Sequence, residues 1–166
     1  KSVIFPRNQY NKEILELYAD MGYKFYRGNP QNRFLKGKPE IKLNLVHRAY
    51  RFLDSYVNLS GNNITKIVKT DADLINIPAS HFYRTFNRKL KYFESLKIRR
   101  ILKSIDTLVD QKGIYHLWWH PHNLGTDLNK NLESLERLLC HVCEYREAGL
   151  IEISTMADVY ESINNR

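Results

Sequence analysis

The chain has 166 residues, of which 43% are hydrophobic and 27% charged, a balance typical of one globular domain. No apolar run approaches the ~20 residues of a membrane-spanning helix, and no secretory signal peptide is visible. The net charge of +8 is uneven, because residues 84–103 carry 8 basic groups and 1 acidic group. Such a segment could attract nucleic acid, anionic lipid or an acidic glycan, and charge alone does not choose between them.

The beginning of the chain predicts a strand, a helix and a second strand. Residues 2–5 are mainly apolar, Asn11 is a helix-capping residue, and Gly22 is a typical helix stop before the aromatic-rich strand predicted at 23–26. This order predicts a βαβ unit and therefore a parallel sheet.

Two arginines follow these strands. Arg7 and Arg27 each lie just beyond a predicted strand, in loops of the kind that carry functional groups in parallel α/β folds.

The middle of the chain, residues 31–111, predicts a connector and an insertion of helices beside the sheet. It reads as a polar connector at 31–42, a helix at 43–57, an irregular stretch at 58–79 with a weak strand at 64–68, and a long helix at 90–109. The basic groups of 84–103 either form one solvated helix face or bind an anionic partner.

The stretch 113–125 holds both tryptophans and three of the six histidines. Residues 114–119 predict a third strand, which would deliver His120, His122 and Asn123 to the mouth of an α/β fold. Trp118 and Trp119 must point to opposite faces of this strand. One is expected in the core, while the other either offers a flat surface to a sugar ring or is also buried.

Strand geometry limits what the histidines can do. His116, Trp118, His120 and His122 share one face if the strand continues past Pro121. At ~3.3 Å per residue, His116 and His120 are about 13 Å apart and cannot bind the same metal ion. For His120 and His122 three interpretations stay open: a metal pair, a catalytic acid or base, or polar groups satisfied at a strand end.

The remaining residues predict two helices and a fourth strand. Thr126 or Asp127 caps a helix that Gly149 stops, residues 150–153 form a strand, and Ser154 or Thr155 caps a last helix. The stripe expected to face the core consists of Leu128, Leu132, Leu135, Leu139 and Val142.

Two cysteines, Cys140 and Cys143, lie one turn apart in this helix. We expect them to be small buried side chains, because a zinc site would need further ligands. Nothing in the sequence requires an oxidising compartment, and we predict a cytoplasmic protein.

The run Gly-Ile-Tyr-His-Leu-Trp-Trp-His at 113–120 resembles the final motif of the polysaccharide deacetylases. These carbohydrate esterases are built on a distorted (β/α)7 barrel. The runs at 5–9, 26–29 and 76–80 look like a bacterial subgroup of the family. The resemblance implies an α/β fold, the later half of a distorted (β/α) barrel with a helical insertion. Residues 1–166 would be its C-terminal part, a fragment as the opening Lys1 and the four strands also suggest.

The resemblance also assigns roles to individual residues. His120 matches the general acid that protonates the departing amine, and Trp118 matches the residue that lines the acetyl pocket. Arg7 matches the arginine that orients the catalytic base, although the family has arginine before proline and here Pro6 precedes it. His122, Asn123 and Arg27 are expected to bind substrate.

The family's divalent metal, zinc or similar, is held by an aspartate and a His-x-x-x-His pair, with an aspartate as base. Residues 1–166 contain no Asp-Asp strand end followed by such a histidine pair, so the ligands are expected upstream. The implied function is metal-dependent hydrolysis of N-acetyl groups on a glycan by the complete protein. Expected partners are the glycan and the N-terminal half of the same barrel, with no nucleic acid and no membrane span.

This chain alone is expected to be inactive. The alternative to the enzyme is a non-enzymatic binding module in which residues 84–103 bind nucleic acid or an acidic glycan.

Overall fold

The computed structural model describes residues 1–30, 32, 45–66, 68–69 and 74–164. Except for residue 32, the predicted connector at 31–42 lies outside these residues. The first two residues of the helix predicted at 43–57 also lie outside them, as does residue 67 of the weak strand at 64–68.

The predicted βαβ unit is confirmed. Strand β1 (Ser2–Val3), helix α1 (Lys12–Asp20) and strand β2 (Phe25–Tyr26) follow one another, and β1 pairs with β2 in parallel. The Oδ1 atom of Asn11 accepts a hydrogen bond of 2.9 Å from the Ile14 amide and so caps α1.

The sheet continues into the region that was expected to be an insertion. Strand β3 (Val68–Lys69) lies antiparallel to β4 (Ile75–Asn76), which pairs in parallel with β2 and gives the order β1-β2-β4-β3. Strand β5 (His81–Phe82) pairs in parallel with β6 (Leu117–Trp118) as a second sheet. The irregular structure predicted for 58–79 was therefore wrong at β4, which is too short for a period to show.

One continuous segment connects the two sheets. The amide of Ala79 donates to the carbonyl of Gly28 beyond β2 at 3.0 Å, and that of Tyr83 donates to the carbonyl of Trp118 at 2.9 Å. Residues 75–83 thus cross from the β2 side to the β6 side. The described strands form these two sheets and do not close into a barrel.

Four further helices surround the strands: α2 (Leu45–Asp54), α3 (Glu94–Gln111), α4 (Leu128–Glu147) and α5 (Met156–Asn164). The helix predicted at 90–109 begins only at Glu94, because residues 90–93 belong to a 3-10 segment, Arg88–Phe93. None of the helices that the structure describes is long and apolar enough to cross a membrane. The molecule is thus a mixed α/β protein, as predicted, with small parallel sheets.

Two predictions for the end of the chain were wrong in part. Residues 150–153 form no strand, because no described strand pairs with them, and Leu150 and Ile153 are exposed. The helix after them forms as expected, and the Asp158 carboxylate accepts hydrogen bonds of 2.7 Å from the amide and the hydroxyl of Thr155.

Helix α4 buries only part of the predicted stripe: Leu135 is half-buried and Val142 packs against the main core cluster. The leucines expected in the core at 128, 132 and 139 are exposed, whereas Leu138 and Asn131 are 1% and 0% exposed. Leu138 packs with Tyr83, Ile101 and Ile105 in the main core cluster. The helix is rotated relative to the predicted orientation because the side-chain amide of Asn131 is buried and hydrogen-bonded.

Candidate functional site

Strand β2 of the first sheet and the parallel strands β5 and β6 of the second end at the candidate site. Arg27 follows β2, while Phe82 and Trp118 are the last residues of β5 and β6. The guanidinium carbon of Arg27 lies 4.1 Å from the centroid of the Trp118 ring. The rings of Phe82 and His120 have their centroids 4.5 Å and 5.4 Å from that of Trp118. The structure therefore brings together the predicted site residues Arg27, Trp118 and His120.

The strand geometry does not continue past Pro121. A 3-10 segment, Pro121–Asp127, begins there, and the rings of His120 and His122 stack with centroids 5.3 Å apart. Both imidazoles are exposed. Asn123 is tied into this turn through its backbone amide, which donates to the His120 carbonyl at 3.0 Å.

Trp119 and His116 flank β6 on its two sides. Trp119 packs against the main core cluster, so the two tryptophans do point to opposite faces. His116 is half-buried, burial lowers its pKa, and its Nδ1 atom has no hydrogen-bond partner among the described atoms.

Arg27 is held by Asn8, a residue that sequence reasoning missed. The Nε and Nη2 atoms of Arg27 donate to the Asn8 Oδ1 atom at 3.2 Å and 3.0 Å. Asn29 in turn donates to the Asn8 carbonyl at 2.9 Å. Burial lowers the Arg27 pKa. The backbone of Arg7 lies in the same 3-10 turn, Pro6–Asn8, but its side chain is outside what the structure describes.

A buried polar network lies behind the site and was also missed. Arg100 donates to the Nδ1 atom of His81 at 2.7 Å and to the Asp54 Oδ1 atom at 3.0 Å. An arginine can only donate, so His81 accepts at Nδ1 and a neutral ring carries its proton on Nε2. The sequence signal was the position of Arg100 beside Ile101 and Ser104, on the buried face of α3.

The basic segment 84–103 is therefore not one solvated face. Lys97 and Arg100 are each 5% exposed. Lys97 pairs with Glu94 at 2.6 Å and donates to the Thr85 carbonyl at 2.7 Å. Because Lys97 and Arg100 are buried and have partners inside the protein, they do not contribute to a binding surface. This weakens the interpretation of the whole segment as such a surface.

The buried imidazole of His81 predicts acid sensitivity. Desolvation, and then the charge of Arg100, lower its pKa from 6.5 to about 3. Below pH 6.5 the unfolded chain takes up a proton that the folded protein does not accept until about pH 3. We therefore expect the free energy of unfolding, measured with urea, to decrease as the pH is lowered from 6.5 towards 3, by up to about 1.4 kcal/mol per pH unit. His81→Gln should make the fall shallower, and an unchanged slope would contradict this origin.

Two clefts open beside these residues. The smaller, of about 230 Å³, is lined by residues that include Asn8, Arg51, Ser80, Arg84 and Trp118. The larger, of about 870 Å³, shares Phe82 and Arg84 with it and extends to Asn123. The predicted site residues Trp118 and Asn123 thus border neighbouring depressions.

Metal ligands do not gather in the described part of the chain. No three His, Cys, Asp or Glu side chains among the described residues lie close enough to hold an ion. Cys140 is exposed and Cys143 is half-buried, and both are free thiols. The prediction that both cysteines are buried was therefore wrong for Cys140.

The fold and the site define a mixed α/β protein with polar and aromatic groups at the carboxyl ends of parallel strands. Comparison of the chain with known protein families, curated proteins and solved structures found no match.

Proposed function

We propose that this chain supplies the proton-donating histidine and part of the pocket of a hydrolase that removes N-acetyl groups from a glycan. The observation that supports this proposal is the convergence of Arg27, Trp118 and His120 where parallel strands end. This is the usual position of ligand-binding and catalytic groups in parallel α/β folds.

The chemistry of amide hydrolysis suits an exposed imidazole. The departing amine must gain a proton, and histidine is the side chain whose ordinary pKa lies nearest neutral pH. The edge-on contact with Trp118 at 90° leaves the exposed His120 ring projecting from an aromatic surface. His120 is therefore proposed as the general acid.

The pocket wall is formed jointly by an aromatic ring and a cation. Arg27 covers one face of the Trp118 ring, so that face is not open to a sugar. Because Asn8 accepts from two nitrogens of the guanidinium, the position of Arg27 over the ring is fixed. We propose that Trp118 and Arg27 position the acetylated sugar together, with His122 and Asn123 at the entrance.

The divalent metal that the deacetylase resemblance implies has no ligand set among the described residues. The described residues therefore do not fit such an ion. The chemistry proposed for this chain is limited to proton donation and substrate positioning.

Acetate release tests the proposed function. The natural protein that contains this chain should release acetate from N-acetylglucosamine oligomers and expose one free amine for each acetate. Both products should be measured, because acetate without a new amine would indicate ester hydrolysis. The absence of release from N-acetylated glycans of several linkages would overturn the proposal.

A further inference from the structure

The smaller cleft is a basic pocket with an aromatic wall. Arg51 and Arg84 line it together with Phe82 and Trp118. The guanidinium of Arg84 is half-buried and lies 5.9 Å from the centroid of the Phe82 ring. Two guanidinium groups that share a small, partly desolvated space favour an anion between them.

Among the described residues that line this cleft, the one acidic side chain, Asp54, already has hydrogen-bond partners. Oδ1 of Asp54 accepts from Arg100 at 3.0 Å and from the Ser60 amide at 2.7 Å, and Oδ2 accepts from the Ser60 hydroxyl at 2.9 Å. Within the described residues, no carboxylate lies within 4.0 Å of the Arg84 guanidinium. Arg84 therefore forms no ion pair with the described part of the chain, and the Asp54 carboxylate acts on it only from a longer distance.

We propose that this cleft binds an oxyanion, a carboxylate or a phosphate, carried by the sugar substrate, with Arg84 as its principal anchor. The inference rests on the proposed function for the sugar and deepens it by naming an acidic substrate class. Arginine suits the role because its planar fork can bind either oxyanion through two parallel hydrogen bonds.

The larger cleft gives such a substrate room for neighbouring sugar units. It shares Arg84 and Phe82 with the smaller one, and Phe52, Tyr56 and Phe86 add aromatic surface to its walls. Flat aromatic side chains beside a cation are suited to a sugar chain that carries a negative group.

Matched pairs of probes test the anion site by calorimetric titration of the chain at low salt. A hyaluronan tetrasaccharide, which carries carboxylates, is compared with the neutral chitotetraose. N-acetylglucosamine 1-phosphate is compared with N-acetylglucosamine. We expect at least one acidic probe to bind about tenfold or more tightly than its neutral counterpart, as for a hydrogen bond between charged groups. The pair that responds identifies carboxylate or phosphate, and equal affinity within both pairs, or no binding by any probe, would overturn the inference.

Charge-matched variants locate the site. Arg84→Gln should remove the preference for the acidic probe, whereas Arg99→Gln, at an exposed position of α3, removes the same charge and should leave the preference intact. Arg84→Lys should keep part of it and serves as the test if Arg84→Gln does not fold. Equal effects at positions 84 and 99 would contradict the site.

The anion site and the proposed function can fail separately. Acetate release without any preference for acidic sugars would overturn the anion site alone. Binding of an acidic sugar through Arg84, without acetate release by the natural protein, would support the anion site as a sugar-binding cleft and overturn hydrolysis.

Discussion

We expect Asp54→Ala to lower the free energy of unfolding by about 3–5 kcal/mol, because it leaves the buried guanidinium of Arg100 without its counter-charge. Asp54 and Arg100 are both buried, and their contact is 3.0 Å. The carboxylate also accepts from the Leu59 amide at 3.0 Å and from the Ser60 amide at 2.7 Å. Removing one acceptor therefore leaves several donors unsatisfied at once. Urea unfolding monitored by circular dichroism measures the effect.

The control is a carboxylate that lies on α3 and faces solvent. Asp110→Ala should change the free energy of unfolding by less than about 0.5 kcal/mol, since Asp110 is exposed. The double variant Asp54→Ala with Arg100→Met should lose less free energy of unfolding than the two single variants lose together, because neither charge is then left buried without its partner. Strict additivity would show that Asp54 acts without Arg100.

The parts of the fold that were predictable from sequence are those with local signals. Asn11 marked the start of α1, and Gly22, with a φ of 80°, marked its end, so the βαβ unit was assigned correctly. Strand β4 has two residues and is followed closely by Pro78, so it lacks the alternation that identifies a strand. Its assignment depends on backbone pairing with β2, which lies far away along the chain.

Helix α4 shows a second limit. Several of its leucines follow a helical stripe, but the buried face is set by Asn131. That side chain accepts from the Phe86 amide at 2.6 Å and donates to the Leu124 carbonyl at 2.9 Å. An asparagine in a helix predicts exposure when its partners are unknown, and here they come from two loops. The periodicity was real, and tertiary hydrogen bonds decided the rotation.

The site, like the fold, was predictable only where the sequence carries a local signal. Arg27 and His120 were identified because each follows a predicted strand, and Trp118 because of its place on that strand and the deacetylase resemblance. The structure brings all three together. Asn8 was missed because nothing local marks it, and Arg100 was missed because its position on the apolar face of α3 does not by itself identify a buried arginine. Arg100 meets Asp54 across 46 residues of sequence, and a buried arginine looks like a solvated one until its partner is placed.

In the natural protein, His120→Gln should slow the turnover of an N-acetylated glycan by about 10²–10⁴-fold, the range expected when a general acid is removed. The KM should change little, because the proton is transferred in the transition state and glutamine preserves most of the side-chain volume. Measurement of kcat and KM by acetate release, over a range of pH, separates these effects.

Two comparisons distinguish proton donation from a positioning role. His122→Gln removes the neighbouring imidazole, stacked 5.3 Å away, and should cost far less in kcat if His120 is the acid. With 4-nitrophenyl acetate, whose phenolate leaves without a proton, the penalty of His120→Gln should nearly vanish, because no proton has to be supplied. A loss of equal size on both substrates would mean that His120 shapes the pocket around Trp118 rather than donating the proton. Unaltered turnover of the glycan would remove His120 from the mechanism.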